Sequence, residues 1–343
     1  MNMSKRWAAV LALTLPCALL ADASVPVASH TLSNGVIAAA ITDNIGGRVL
    51  SFNLKGKPNF LLASQIGAPR RGTVNAASNH VPYNGHEIWV GPQSQWWSHQ
   101  EVNPARAAEK ADWPPDPYLS LAKNSTHHKS DREMVLDSPV SPVTGLQMRK
   151  RFALNREKPN SMELHVSASN RRNTTVAWDI WFNTRTHANA LVYVPVKQAS
   201  DIRMQKLVPG PLANTLAEGI FSLDMLPPGQ TRREGKILLQ PSHGWIAGFH
   251  GEQALIIRFQ HQPVSAIHPE HGQVELYNAY QPANPSRDLL EMEVHAPYVR
   301  LAPGQTMHAT EIWTILPYKG SANRVAHIAF LRERARDLGL PPL

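Results

Sequence analysis

Cysteine is almost absent. Of 343 residues only Cys17 carries a thiol, and it lies in the apolar stretch near the N-terminus. A disulfide framework, a thiolate nucleophile and a cysteine-ligated metal are therefore excluded for the rest of the chain. Long apolar runs are scarce as well. Past Leu20 no segment approaches the roughly 18 uninterrupted apolar residues of a membrane helix, so no transmembrane span is expected. Blocks of positive charge are missing. The densest run, Arg149-Lys150-Arg151, sits in a strand-like segment, which argues against a nucleic-acid partner. There is no Walker loop, no G-x-G-x-x-G after a strand and no G-x-S-x-G elbow. His268-Pro269-Glu270-His271 lies in a proline-containing loop without zincin spacing and reads as a polar turn. His127-His128 reads as solvated. No metal and no cofactor are expected.

What the N-terminus does have is a secretory pattern. Lys5 and Arg6 precede an apolar run from Trp7 to Leu20, and Ala21-Asp22-Ala23 offers a small-residue cleavage site. Residues 1–23 are read as a signal peptide, with Pro16 disfavouring a lipoprotein signal at Cys17. The expected location is periplasmic or secreted. Cleavage removes Lys5, Arg6 and Asp22 and takes the formal charge from +8 to +7. That excess either favours acidic ligands such as uronic-acid sugars or serves solubility.

From Ser29 the chain reads as short strands punctuated by Gly, Pro and Asn. Ser33-Asn34-Gly35 marks a hairpin. RVLSFNL (48–54), GLQMRKRFAL (145–154), SMELHVSASN (161–170) and TTVAWDIWFNTRTH (174–187) continue the pattern, with KILL, GWIAGF, ALIIRF and VELYN after them. LPPGQT (226–231) and LAPGQT (301–306) read as equivalent turns in two sheets. One helix is expected at 321–338, capped by Ser321, striped by Val325, Ile328, Leu331, Ala335 and Leu338, and stopped by Gly339 and Pro341. Residues 24–343 are read as a single domain. Residues 63–135 lack periodicity but hold Trp89, Trp96, Trp97 and Trp113, so they are read as an ordered loop packed over a sheet.

The chemistry-bearing stretch is 287–315. Glu291, Glu293 and His295 alternate with Leu290, Met292 and Val294, which places two carboxylates and an imidazole on one strand face. Pro303-Gly304 turns the chain into a second strand. That polar face is either solvated or the lining of a groove. Sugars are held by aromatic faces on C–H surfaces together with carboxylates, amides, Arg and His on hydroxyls. Trp89, Trp96, Trp97, Trp181 and Trp245 suit the first role. Glu87, Gln93, Asn183, Arg185 and Glu293 suit the second, and His86 and His187 are the imidazoles beside them. Any single Trp or His of this set equally suits core packing.

The order of these pieces resembles the galactose mutarotase-like (aldose 1-epimerase-like) superfamily, and within it an uncharacterised exported branch (DUF4380-like). GGRVLSFNLKGKPNFL (46–61) is similar to the opening hairpin. NGHEIWVGPQSQW (84–96) with DWPPDP (112–117) is similar to the branch's aromatic segment. GLQMRKRFAL with VSASNRRNTTVAW resembles the central strands, and LLEMEV before LAPGQT resembles the segment carrying the catalytic glutamate. The resemblance implies an all-β fold, a β-supersandwich of large antiparallel sheets with a short C-terminal helix, and a sugar site on a concave face. It implies Glu291 as the base that opens the sugar ring, with a histidine as acid. The expected histidine strand corresponds to WFNTRTH, where His187 is displaced along the chain, and His86 stands near the second expected place. The functions expected are anomer interconversion (an isomerase), a non-catalytic carbohydrate-binding module, or, more distantly, a protein related to polysaccharide lyases. The partner expected is a mono- or oligosaccharide, acidic ones included.

Overall fold

In the computed structural model, residues 27–64, 74–208, 212–224 and 232–341 are described. The signal-peptide reading of residues 1–23 and the turn at 226–231 lie outside them. Two large antiparallel sheets face each other across one core. The first has nine strands, in the order His30–Ser33, Ile37–Thr42, Arg48–Leu54, His86–Trp89, Trp181–Thr186, Leu289–His295, Val274–Tyr280, Arg233–Leu239 and Ile202–Lys206. The second has ten, in the order Asn214–Ala217, Ile220–Leu223, Leu191–Pro195, Trp245–His250, Gln253–Phe259, Thr306–Pro317, Ser161–Asn170, Leu146–Leu154, Glu133–Asp137 and Ser125–Lys129. A separate pair joins Val176–Trp178 to Val299–Leu301. This is the expected all-β sandwich.

Alternation explains which face goes inward. Along Ser161–Asn170 every second side chain is buried, and Met162, Leu164, Val166 and Ala168 enter the core. Phe52, Phe152, Phe182, Met292 and Trp313 meet there from both sheets. Each such side chain contributes roughly 1.5–3 kcal/mol through burial. The Asn34 turn forms the expected hairpin, with Gly35 at φ 84°, where glycine carries no steric penalty.

The segment 63–135 departs from the expectation of a loop. It supplies strand His86–Trp89 in the middle of the first sheet and the two strands that end the second. All four residues of HEIW are buried, so both faces are covered and no period-2 signal survives in the sequence. The intervening loop is packed: Trp97 is fully buried and the Arg106 guanidinium lies 4.4 Å over its ring.

The C-terminal helix runs Arg324–Leu338, later than expected, because Asn323 rather than Ser321 accepts the first-turn N–H, from Ala326 at 3.0 Å. Ile328, Leu331, Ala335 and Leu338 pack on Trp245, Phe249 and Ile256 of the second sheet. Val325 does not join them and is 81% exposed. Gly339 closes the helix in the left-handed region. Among the described residues no helix is long and apolar enough to cross a membrane.

Candidate functional site: a polar groove on the nine-stranded sheet

Register assembles the site from five neighbouring strands. Trp181 lies opposite Trp89 and His295, Asn183 opposite Glu87 and Glu293, and Arg185 opposite Glu291. One strand further, Tyr277 lies opposite Glu291 and Glu275 opposite Glu293. Lys236 follows opposite Tyr277. Strand alternation sends the intervening residues Ile88, Phe182, Met292, Leu276 and Ile237 into the core. The polar set therefore forms one floor. Trp89, Trp181, Arg185, Lys236, Glu275, Tyr277, Glu291 and Glu293 of this set line a groove of about 970 Å³, rimmed by His80, Gln93, Trp113, Glu270 and Arg287 from the connecting segments, while Glu87, Asn183 and His295 are buried outside its lining.

Two ion networks cross the floor. In the first, Glu87 receives Arg48 Nη2 at 2.6 Å and Arg185 Nη1 at 2.5 Å, and Arg185 Nε donates to Glu291 Oε1 at 2.6 Å. Burial alone would raise the Glu87 carboxyl, but Arg48 and Arg185 outweigh it and hold the group at about 2. Burial opposes the Arg185 charge, yet Glu291 and Glu87 lift its pKa above the ordinary value. The guanidinium also lies 5.1 Å from the Trp89 ring centroid.

In the second network, Lys236 Nζ stands 2.5 Å from Glu275 Oε2 and 3.0 Å from Glu293 Oε2, and 4.5 Å over the Trp181 ring. Trp181 Nε1 donates to Glu293 Oε2 at 2.9 Å. Burial is the largest influence on Glu293 and pushes it up to about 8 in spite of Lys236. His271 Nδ1 is 2.9 Å from Glu275 Oε1, and His295 Nδ1 is 3.0 Å from Asp179 Oδ2. Burial disfavours a charge on His295, but Asp179 and Glu275 push it up to about 9. Asp179, His271 and His295 bring ligand atoms within 4.8 Å of one another, as do Glu275, Glu293 and His295.

Several buried polar atoms here lack a protein partner: Asn183 Nδ2 and Oδ1, Trp89 Nε1, His80 Nδ1, His271 Nε2 and Glu293 Oε1. Leaving such an atom unmet costs about 1–3 kcal/mol.

The structure brings Trp89, Trp181, Arg185, Glu291 and Glu293 together on this floor, with Gln93 at the rim; Glu87 and Asn183 are their register neighbours but are buried and do not line the groove. Trp96 does not line the groove: it is fully buried, its ring packed against Trp89, Trp113 and, stacked at 5.9 Å, Trp181, with its Nε1 donating to Val90 O. Four expected residues are elsewhere. Trp97 is fully buried in the loop packing, with its Nε1 donating to Pro114 O at 2.8 Å. His86 faces the core, because its neighbour Glu87 takes the groove face. There it packs 4.8 Å from the Trp313 ring, and its Nδ1 meets Thr184 Oγ1 at 2.9 Å. His187 follows the end of its strand and stacks on His250 at 3.9 Å. Trp245 belongs to the second sheet and packs beneath the C-terminal helix.

Sequence reasoning missed Lys236, Asp179, Glu275, His271 and Trp113. Alternation in VELYN pairs Glu275 with Tyr277, a signal equal to that of Glu291 and Glu293. Trp113, 47% exposed, is the aromatic ring that the groove rim offers to solvent.

The same sheet arrangement occurs in solved structures. A galactose mutarotase-like protein from Lactobacillus casei ATCC 334 superposes with a TM-score of 0.53 at 10% identity, covering 84% of this chain and 100% of that one. A galactose mutarotase related enzyme from Lactobacillus acidophilus gives 0.50 at 11% identity, covering 87% and 100%. The Slr1438 protein from Synechocystis sp. PCC 6803 gives 0.52 at 10% identity, covering 85% and 96%. The fold is therefore galactose mutarotase-like. Among curated proteins none matches the chain in sequence. Residues 27–316 match the family described as Domain of unknown function (DUF4380), and the chain belongs to that family.

Proposed function

We propose that this protein is carbohydrate-active, holding a mono- or oligosaccharide in the groove, and that it interconverts anomers there in the manner of an aldose 1-epimerase. The observation that carries the reading is Glu291. It lines the groove with Oε1 fixed by Arg185, in the same groove as Glu293 and the exposed Trp113 ring. Trp113 suits the apolar side of a sugar ring, and the carboxylates suit its hydroxyls. Glu291 takes the proton of the anomeric hydroxyl as the bond from C1 to the ring oxygen breaks. The ring oxygen gains a proton from water in the open groove. The aldehyde turns about C1–C2, and the reverse steps close the other anomer. Arg203 and Arg287 along the groove suit an acidic sugar.

The second reading, binding without turnover, is favoured by one placement: neither His86 nor His187 lines the groove. Export is part of the proposal on the strength of residues 1–23, and fractionation of cells expressing the full chain checks it. Polarimetry and NMR on fresh α-glucose, α-galactose and uronates test the chemistry. Faster anomer exchange, abolished in Glu291→Gln, is the expected result. Sugar-dependent quenching of Trp fluorescence without exchange leaves binding alone. Neither signal across the panel sinks the carbohydrate reading.

A further inference from the structure

We propose that Asp179, His271 and His295 form a binding site for one divalent transition-metal ion of the zinc type, at the end of the groove floor covered by Trp181. The three residues come from separate places in the chain: the residue after strand Val176–Trp178, the turn before strand Val274–Tyr280, and the last position of strand Leu289–His295. Their ligand atoms nevertheless lie within 4.8 Å of one another.

Four observations converge on an ion. First, Asp179 is fully buried, and among the described residues neither lysine nor arginine pairs with it. Its contacts are the Gly91 N–H at 2.7 Å and His295 Nδ1. A buried carboxylate needs a countercharge, which either a proton on His295 or an ion bound between the two residues supplies. Second, His271 is 8% exposed, and its Nε2 has no hydrogen-bond partner. Third, the other ring nitrogen of His271 is engaged by Glu275 Oε1 at 2.9 Å. Metal-bound histidines are oriented in this way, by an outer carboxylate on the nitrogen that faces away from the ion. Glu275 Oε2 stands 3.7 Å from His295 Nε2, beyond hydrogen-bond reach, and that nitrogen lacks a hydrogen-bond partner. Fourth, position 91 is glycine where a side chain would fill the space. A Cβ there would stand 2.8 and 3.0 Å from the Asp179 oxygens and 3.0 Å from His271 Nε2. Two imidazoles and a carboxylate suit zinc, cobalt(II) or iron(II), with further coordination positions left for water or a ligand. The sequence reading expected no metal because it weighed only the 268–271 turn, whose partners Asp179 and His295 are remote in the chain.

The test uses the full chain, stripped with chelator and titrated with Co²⁺ and Zn²⁺. The expected result is one equivalent bound, with the intense visible bands of low-coordinate cobalt, displaced by Zn²⁺. Zinc is also expected to raise the Tm. His271→Ala removes the cobalt bands, and Glu275→Gln weakens binding by roughly 10–100-fold. Glu291→Gln binds the metal as the native chain does, and circular dichroism of each variant reports folding. Substoichiometric uptake with only the pale spectrum of aqueous cobalt overturns the proposal, and a proton on His295 is then the countercharge of Asp179. Equal uptake in native chain and His271→Ala also overturns it. The outcome is independent of sugar binding, which either result leaves standing.

Discussion

Replacing Glu87 by Gln removes the charge that joins Arg48 to Arg185 while keeping the side chain's size. Glu87 is 3% exposed and is held at about 2 against an ordinary 4.5. At about 1.36 kcal/mol per pH unit, that gap amounts to roughly 3 kcal/mol of folding stability. The sign follows from the depression of the pKa. The contribution is complete above about 4.5 and is lost as the pH falls through about 2, where folded and unfolded chains are both protonated. Glu87→Gln lacks it at every pH. The variant leaves Arg185 paired but takes from Arg48 its one ion-pair partner among the described residues, which adds to the loss. Arg185 keeps Glu291, and Arg48 keeps the carbonyls of Ile45, Asn84 and Ser120 at 3.3, 2.9 and 3.2 Å. Urea unfolding followed by Trp fluorescence, from neutral pH down to about 3, measures the difference between the two chains. It is expected to be at least about 3 kcal/mol at neutral pH and to narrow below about 4.5. A difference under about 1 kcal/mol at neutral pH, or one that does not change with pH, refutes the reasoning.

Two further outcomes are expected. Trp113→Ala lowers thermal stability, because the half-buried ring packs on His80, Trp89 and Trp96, and it also weakens sugar binding by about 1 kcal/mol, roughly five-fold in Kd by titration of the remaining Trp fluorescence of the folded variant. His86, buried without charge and lowered by burial to about 3, makes the native chain lose stability as the pH falls below about 6.5, where the unfolded imidazole takes a proton and the folded one does not. His86→Leu is expected to remove about 2–3 kcal/mol of the loss between pH 6.5 and 4.5, read from the same unfolding curves; an unchanged slope counts against a neutral His86.

Much of the fold was legible because its signals are local. The hairpin at Asn34, the strand RVLSFNL and the alternation of Glu291 and Glu293 are each written within about ten residues. The floor's neighbours were not legible, since register between strands remote in sequence decides that Lys236 and Glu275 stand beside Glu293. Strand His86–Trp89 was hidden by burial on both faces. The misplacement of His86 had a local remedy: adjacent strand residues point to opposite faces, so His86 and Glu87 could not both line one groove. Trp245 and His187 had no such signal. Their positions follow from which sheet the chain enters and where a strand stops.

The groove has two kinds of wall. Its floor is made by strands whose reverse side is the sandwich core, as with Glu291 and Glu293 flanking Met292. Its rim, with His80, Trp113, Glu270 and Arg287, comes from the segments between strands. An inherited change in the floor risks disturbing the packing behind it, whereas a change in the rim alters chiefly what can enter. Relatives built this way can keep a common chemistry while diverging in the molecules they admit, and exchanging rim segments between them is the economical route to a new preference.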